Sequence, residues 1–341
     1  MQTVPLVHTT RGYPDTGYTV ENIHMGSVAV VDTSGKLIWS AGDPDAMTFT
    51  RSALKPFQAL PFVLAGGPAR FGLSSAELAL MCASHSGEDK HLAAVASILC
   101  KIGCDESDLE CGCGTPLYYD TLGLPVPPQV WRAVHHNCSG KHSGFLGWCR
   151  MHDVPGADYV NPAHRLQQQI RSTLADAVGM SESSMPLGID GCSAPNYALP
   201  LSRLAHLFAR LGSGAADPVL GAAMGDLRDA MTGHPDMVSG QARCDLAYMQ
   251  AGGGDWVSKV GADGVQTIGI GSAGLGIAIK IADGAQRALH TATYGVLEQL
   301  GLLNQLDAPQ RALLEPYRQP ALQNVRGTTV GHIRSVVNLK R

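Results

Sequence analysis

Ser52-Ala53-Leu54-Lys55 places a serine three residues before a lysine, at the start of a helix that the pattern predicts over 52–64. Residues three apart lie on one face of a helix, so the Lys55 amine is expected to reach the Ser52 hydroxyl. A serine hydroxyl becomes an effective nucleophile when a base removes its proton, and a buried lysine with a lowered pKa can be that base. The segment is therefore a candidate catalytic pair, although the same spacing also occurs on solvated helix faces.

Strand patterns lie on both sides of this helix, and helical patterns fill the middle of the chain. The β-branched, apolar runs are 28–32, 37–41, 257–260, 265–270, 276–281 and 328–337. Between about 105 and 243, helical segments alternate with loops that contain glycine and proline, most clearly at 162–178 and 200–211. This order predicts an α+β fold in a single domain, 1–341, whose antiparallel sheet is formed by the N- and C-terminal strands.

The composition excludes several classes of partner. The 341 residues are 45% hydrophobic and 16% charged, which is enough apolar material for a substantial core. Lysine and arginine number 25 against 29 acidic residues, and no long basic block occurs. We therefore expect no nucleic-acid partner and no membrane partner.

The cysteine content and the first residues favour the cytoplasm. Residues 1–18 contain no apolar run and are interrupted by Arg11 and Asp15, so they do not resemble a signal peptide. The nine cysteines are an odd number, which favours reduced thiols over a disulfide framework.

A glycine-rich motif near the C-terminus matches the pattern of a dinucleotide-binding loop. Gly269-Ile270-Gly271-Ser272-Ala273-Gly274 has the spacing, but the following segment, 275–281, has the pattern of a strand. A dinucleotide-binding loop requires a helix at that point. The sequence therefore predicts a tight hairpin.

A second group of residues has donor types suited to a metal. Cys138-x-x-Lys141, together with Cys192, offers two sulfur atoms and one nitrogen. Zinc prefers such ligands in tetrahedral geometry, although lysine must first lose its proton. Spacing alone leaves two alternatives, a zinc site and buried structural cysteines.

Three serine and lysine elements occur in an order typical of one class of serine hydrolase. Ser52-x-x-Lys55 is followed by Ser84-His85-Ser86 and later by Lys259-Val260-Gly261 on a predicted strand. Penicillin-binding proteins and serine β-lactamases use Ser-x-x-Lys, Ser-x-Asn and Lys-x-Gly elements in this order. We therefore expect two Ser-Lys pairs around one acyl centre. Ser52 with Lys55 would attack, and Ser84 with Lys259 would relay a proton to the leaving group.

The complete set of motifs resembles the class 3, Rhizobium etli-type L-asparaginases, also described as asparaginase II type. The matching stretches cover nearly the whole chain from about Val20; they are Val20-Glu21-Asn22-x-His24, Arg51-Ser52-Ala53-x-Lys55-Pro56, Met81-Cys82-Ala83-Ser84-His85-Ser86, Asn137-Cys138-Ser139-Gly140-Lys141-His142, Asp190-Gly191-Cys192 and Lys259-x-Gly261-Ala262-Asp263. The resemblance implies a serine β-lactamase/glutaminase-like fold, hydrolysis of asparagine to aspartate and ammonia, and a homodimer.

The resemblance also implies roles for individual residues. The two catalytic pairs match Ser52/Lys55 and Ser84/Lys259. One zinc ion per chain would be held by Cys138, Lys141 and Cys192, and Arg51, His85 and Asp190 are expected to bind substrate. One departure concerns Cys111-Gly112, which Cys113 follows where the family often has a histidine shortly afterwards.

The sequence therefore predicts a cytoplasmic amidohydrolase that acts on free L-asparagine. Within this class the alternative is a glutaminase or another small-amide amidase, because one methylene changes affinity by only about 1–3 kcal/mol in an apolar pocket. In a different class, the cysteines alone would fit a non-catalytic zinc-binding or redox module.

Overall fold

A computed structural model describes residues 2–13 and 15–341, with strands at both ends of the chain. The strands are β1 (Val4–Tyr13), β2 (Gly17–Asp32), β3 (Leu37–Ala41), β4 (Met47–Phe49), β5 (Leu187–Ile189), β6 (Pro195–Pro200), β7 (Trp256–Gly261), β8 (Val265–Ile270), β9 (Leu275–Ile281), β10 (Ala321–Gln323) and β11 (Thr329–Ser335). The helices are α1 (Lys55–Leu64), α2 (Gly67–Arg70), α3 (Ser75–Met81), α4 (Asp89–Ile102), α5 (Leu117–Thr121), α6 (Ser139–Met151), α7 (Arg165–Val178), α8 (Leu201–Ser213), α9 (Gly221–Gly233), α10 (Pro235–Val238), α11 (Cys244–Ala251), α12 (Gln286–Gln299) and α13 (Ala308–Arg318). Across residues 2–13 and 15–341, no helix has both the length and the apolar character of a membrane span.

The large sheet joins the two ends of the chain, as the sequence predicts. Its strand order is β10-β11-β1-β2-β9-β8-β7, with β3 paired to β2, and the paired strands are antiparallel. The central contact is between β2 and β9, where Gly26 lies opposite Ile281 and Asp32 opposite Leu275. The expected α+β architecture, with an antiparallel sheet made by N- and C-terminal strands, is confirmed.

Helices cover both faces of this sheet, and alternate side chains of β2 pack against the helices on opposite faces. Ala29 and Val31 contact one hydrophobic cluster, which contains Phe208 of α8. Val28 and Val30 contact a second cluster, which contains Leu289 of α12. Successive side chains of a strand point to opposite faces, so a continuous Val/Ala run is buried on both sides.

Two parts of the fold differ from the sequence expectation. The helix predicted over 52–64 begins as a 3-10 turn, Arg51–Leu54, and becomes α-helical only at Lys55. Pro56 occupies the first turn of α1, where its missing N–H costs nothing. Within the region 105–243, β5 and β6 join β4 in a small antiparallel sheet that the helical pattern did not predict.

Gly269 of the G-x-G-x-x-G motif and Gly276, which follows the motif, allow close helix packing. β8 and β9 form the predicted hairpin, with Ile270 opposite Leu275. A Cβ atom on Gly276 would lie 1.9 Å from the Ala205 carbonyl oxygen, and one on Gly269 would lie 2.1 Å from the Phe208 carbonyl oxygen. The absence of side chains at these positions lets the backbone of α8 contact the sheet directly.

We expect Gly276→Ala to lower the free energy of unfolding by about 1–3 kcal/mol, the usual cost of overpacking. The matched control is Gly233→Ala at the end of α9, where a Cβ would meet no atom within 4 Å. Urea unfolding of both variants measures the difference. Equal stability of Gly276→Ala and wild type would contradict the close contact between α8 and β9.

Candidate active site

Two lysines and one serine meet at the junction of the sheet and the helices. Lys55 Nζ and Lys259 Nζ each lie 3.0 Å from the Ser84 Oγ atom. Lys55 begins α1, Ser84 follows the end of α3, and Lys259 lies in the middle of β7. All three side chains are buried. The structure therefore brings together three of the four residues that the sequence predicts to be catalytic.

Asp245 supports this cluster from α11, and sequence reasoning missed it. Its carboxylate accepts hydrogen bonds from Ser258 Oγ at 2.7 Å and from the Val260 N–H at 3.0 Å, and lies 3.4 Å from Lys259 Nζ. Burial raises the pKa of Asp245, but Lys259 and the Val260 N–H together hold it below the usual value. Asp245 is thus a buried carboxylate beside a buried amine.

The buried position of Lys259 controls its protonation. Loss of hydration lowers the pKa of Lys259 to about 8, with the positive charge of Lys55 acting in the same direction and Asp245 opposing it. A neutral amine is therefore accessible near neutral pH. In that form Lys259 can accept the proton of the Ser84 hydroxyl, which a charged ammonium cannot do.

Ser52 lies on the 3-10 turn directly before Lys55 and is partly exposed. Among residues 2–13 and 15–341, no hydrogen bond joins its hydroxyl to another side chain. The Lys55 amine instead donates to the Ala83 carbonyl oxygen at 2.6 Å and to Ser84. The direct Ser52–Lys55 contact expected from helical spacing is thus replaced by a contact between Lys55 and Ser84.

The residue before Ser52 has a backbone conformation that is rare outside glycine. Arg51 has a φ of 49°, and such left-handed positions cost energy that surrounding contacts must offset. Asn196 supplies those contacts, since its side chain accepts from the Arg51 N–H at 3.0 Å and donates to the Arg51 carbonyl at 3.1 Å. Asn196 therefore positions the serine turn, and nothing in its local sequence pattern indicates this role.

The Arg51 side chain lies in a cavity of about 400 Å³ between the small sheet and the β7–β8 turn. Its Nε atom donates to Asp190 Oδ1 at 2.9 Å, and a terminal nitrogen contacts Asp263. Arg51 and Asp190 therefore lie together, as expected of substrate-binding groups. Charged groups at the mouth of a small cavity suit a small polar ligand.

His85 lies apart from this cavity and is fully buried. Its Nδ1 atom accepts from the Gly87 N–H at 3.2 Å, so Nε2 carries the proton and donates to Ser139 Oγ at 2.9 Å. Burial holds the pKa of His85 well below its usual value. Both ring nitrogens thus have protein partners, and the structure does not bring His85 together with Arg51 and Asp190.

The structure contradicts the predicted zinc site at Cys138, Lys141 and Cys192. Lys141 Nζ donates to Cys192 Sγ at 3.0 Å and lies 5.3 Å from the centre of the Phe145 ring. Burial opposes its charge, but the negative charges of the Cys192 and Cys138 sulfur atoms hold the pKa of Lys141 above the usual value. A protonated amine has no lone pair to give a metal, so two thiols remain. The part of the chain that the structure describes contains no group of three or more His, Cys, Asp or Glu able to hold a metal ion.

Sequence comparison identifies one family. The family model for L-asparaginase II matches residues 7–335, which is nearly the whole chain. No curated protein matches the sequence.

Solved structures similar to this chain have low sequence identity to it. Mglu is 14% identical, with 83% of this chain and 69% of that chain covered and a TM-score of 0.46. A β-lactamase from Mycobacterium bovis is 14% identical, with 80% and 94% covered and a TM-score of 0.41. Mglu in its glutamate form is 15% identical, with 83% and 62% covered and a TM-score of 0.37.

We expect NMR titration of labelled lysines to find Lys259 losing its proton near pH 8, well below exposed lysines. Because Asp245 favours the charged amine, Asp245→Asn should lower the pKa of Lys259 further. The exposed Lys340 signal is the internal control. A Lys259 pKa that stays the same or rises in Asp245→Asn would contradict the assigned charge coupling.

Proposed function

The chain belongs to the L-asparaginase II family, a family of hydrolases that act on amides of small molecules, and we propose that it hydrolyses free L-asparagine to L-aspartate and ammonia. The observation that carries the proposal is the buried Lys55–Ser84–Lys259 cluster next to the Ser52 turn. Amide hydrolysis requires a nucleophile and a route for protons to the leaving nitrogen. These four residues offer both.

We propose Ser52 as the nucleophile. Its oxygen forms a bond to the side-chain amide carbon of the substrate while the hydroxyl proton passes to Lys55, which gives a proton through Ser84 to neutral Lys259. The carbon–nitrogen bond then breaks as the nitrogen gains a proton, and ammonia leaves an aspartyl ester on Ser52. Water attacks the ester, gives one proton back to the Ser52 oxygen through Lys55, and releases L-aspartate.

The second pair supplies the proton route in this proposal. Ser84 lies between the two amines, so a proton on Lys55 can pass through its hydroxyl to Lys259 or in the reverse direction. Since both lysines are buried, bulk water does not compete for the proton. Lys259 then acts as the group whose charge changes during each turnover.

The backbone N–H of Ser52 is the proposed oxyanion donor. The neighbouring N–H groups of Arg51 and Ala53 already donate, to Asn196 Oδ1 and to the Thr50 carbonyl. The backbone N–H of Ser52, at the centre of the turn, therefore remains available to stabilise negative charge on the substrate oxygen.

The proposal includes a single domain, a homodimer and a cytoplasmic location. The family resemblance implies the dimer. The nine cysteines are free in the structure, which supports a reducing compartment.

We expect Ser52→Ala and Lys55→Ala each to lower kcat by about 10²–10⁴-fold, because each removes a group that acts in the same step. The double variant should be little worse than either single variant. Ammonia release is measured from a panel containing L-asparagine, L-glutamine and other amides, with Ser183→Ala on the exposed surface as the control. Full activity of folded Ser52→Ala would contradict the nucleophile, and a preference for L-glutamine would contradict the substrate.

The rate with L-asparagine should rise with pH and level off above about pH 8, where Lys259 becomes neutral. Below that pKa, each unit of pH should lower kcat/KM about tenfold because the required neutral amine becomes rarer. The check is a pH–rate profile with circular dichroism at each pH. A profile that is flat or falls from about pH 6 to about pH 9 in folded protein would exclude Lys259 as the amine that must be neutral for turnover.

A further inference from the structure

Arg51 has two carboxylate partners in two different environments. Asp190 holds the Nε atom, and its side chain is 10% exposed. Asp263 contacts a terminal nitrogen of the guanidinium and is 68% exposed. The inner ion pair is thus fixed by the fold, whereas the outer pair occupies the end of Arg51 that faces the cavity and solvent.

Asp263 reaches this position through the strand that carries Lys259. Gly261, two residues after Lys259, packs on the serine turn, where a Cβ atom would lie 2.9 Å from the Thr50 carbonyl oxygen. Asp263 lies two residues further on, in the β7–β8 turn, with a φ of 54°. One strand therefore carries Lys259 into the buried lysine–serine cluster and leads to Asp263 in the cavity lined by Arg51, the residue before Ser52.

The cavity contains charges of both signs. Arg51, Lys280 and Asp263 are among its lining residues, and Asp190 contacts Arg51. Lys280 Nζ donates to the Asp263 carbonyl oxygen. The four charged side chains sum to zero, which suits a ligand that itself carries one positive and one negative charge. A free α-amino acid is such a ligand.

We propose that Asp263 is the specificity-determining residue that binds the α-ammonium group of the substrate, while Arg51 binds its α-carboxylate. When the substrate carboxylate takes the outer nitrogen of Arg51, the Asp263 carboxylate is released and accepts from the neighbouring ammonium. The Arg51–Asp263 ion pair is thus replaced by two ion pairs with the substrate. Binding therefore requires both the α-ammonium and the α-carboxylate group of a free amino acid. This inference rests on the proposed function, since it assumes an amino acid substrate.

The test compares L-asparagine with succinamic acid, which has the same amide and carboxylate but no amine. Asp263→Asn is the informative variant, because asparagine tolerates the left-handed backbone of residue 263. Asp263→Gly also tolerates it and replaces Asp263→Asn if that variant does not fold. The control is Asp226→Asn, an exposed aspartate on α9.

Wild type should prefer L-asparagine strongly over succinamic acid. Asp263→Asn should raise the KM for L-asparagine about 10- to 100-fold, as expected for loss of a charged hydrogen bond, with a smaller change in kcat. Its kcat/KM for succinamic acid should equal or exceed that of wild type, because this ligand no longer displaces a charged carboxylate from Arg51, so the preference collapses.

Equal losses on both substrates would overturn the inference, because they indicate a structural role for Asp263. Unchanged kinetics on L-asparagine would overturn it as well. In both cases the wild-type activity shows that the proposed function still holds. Wild type that releases no ammonia from L-asparagine contradicts the proposed function, and this inference with it.

Discussion

The candidate active site depends on the burial of two lysine amines around one serine hydroxyl. Lys55 and Lys259 are both fully buried and both lie 3.0 Å from Ser84 Oγ. Two charged amines in that position would repel each other without hydration, so burial favours loss of one proton. Asp245 limits the effect and leaves a pKa of about 8 on Lys259. The lowered pKa of Lys259 is thus a consequence of packing, and it exists only while α1, α3, β7 and α11 remain together.

The antiparallel sheet makes that packing possible. β2 near the N-terminus pairs with β9 near the C-terminus. β9 pairs in turn with β8, and β8 pairs with β7, which is the edge strand. The direct contact of α8 with the glycines of β8 and β9 fixes the helical layer on one face. Lys259 and Lys55 are more than 200 residues apart in the sequence, and this closure sets their separation.

Local patterns predicted much of this arrangement. Alternating apolar strands, the hairpin at 270–275 and the placement of Lys259 on a strand follow from residues near each other in the chain. Local patterns did not predict that Lys55 contacts Ser84 or that Asp245 contacts Lys259. Both contacts depend on residues that are far apart in the sequence and are brought together by the fold. The zinc prediction was wrong for a related reason, since spacing gives donor types but not the protonation of Lys141. The contact between Asn196 and Arg51 could not be predicted either, because the sequence does not indicate that Arg51 has a positive φ.

In the proposed mechanism Ser52 carries the acyl group and Ser84 only passes protons. The most direct measurement is mass spectrometry of peptides from enzyme quenched with acid during turnover of L-asparagine. We expect an aspartyl ester on Ser52 and an unmodified Ser84. An ester on Ser84, with Ser52 unmodified, would contradict it.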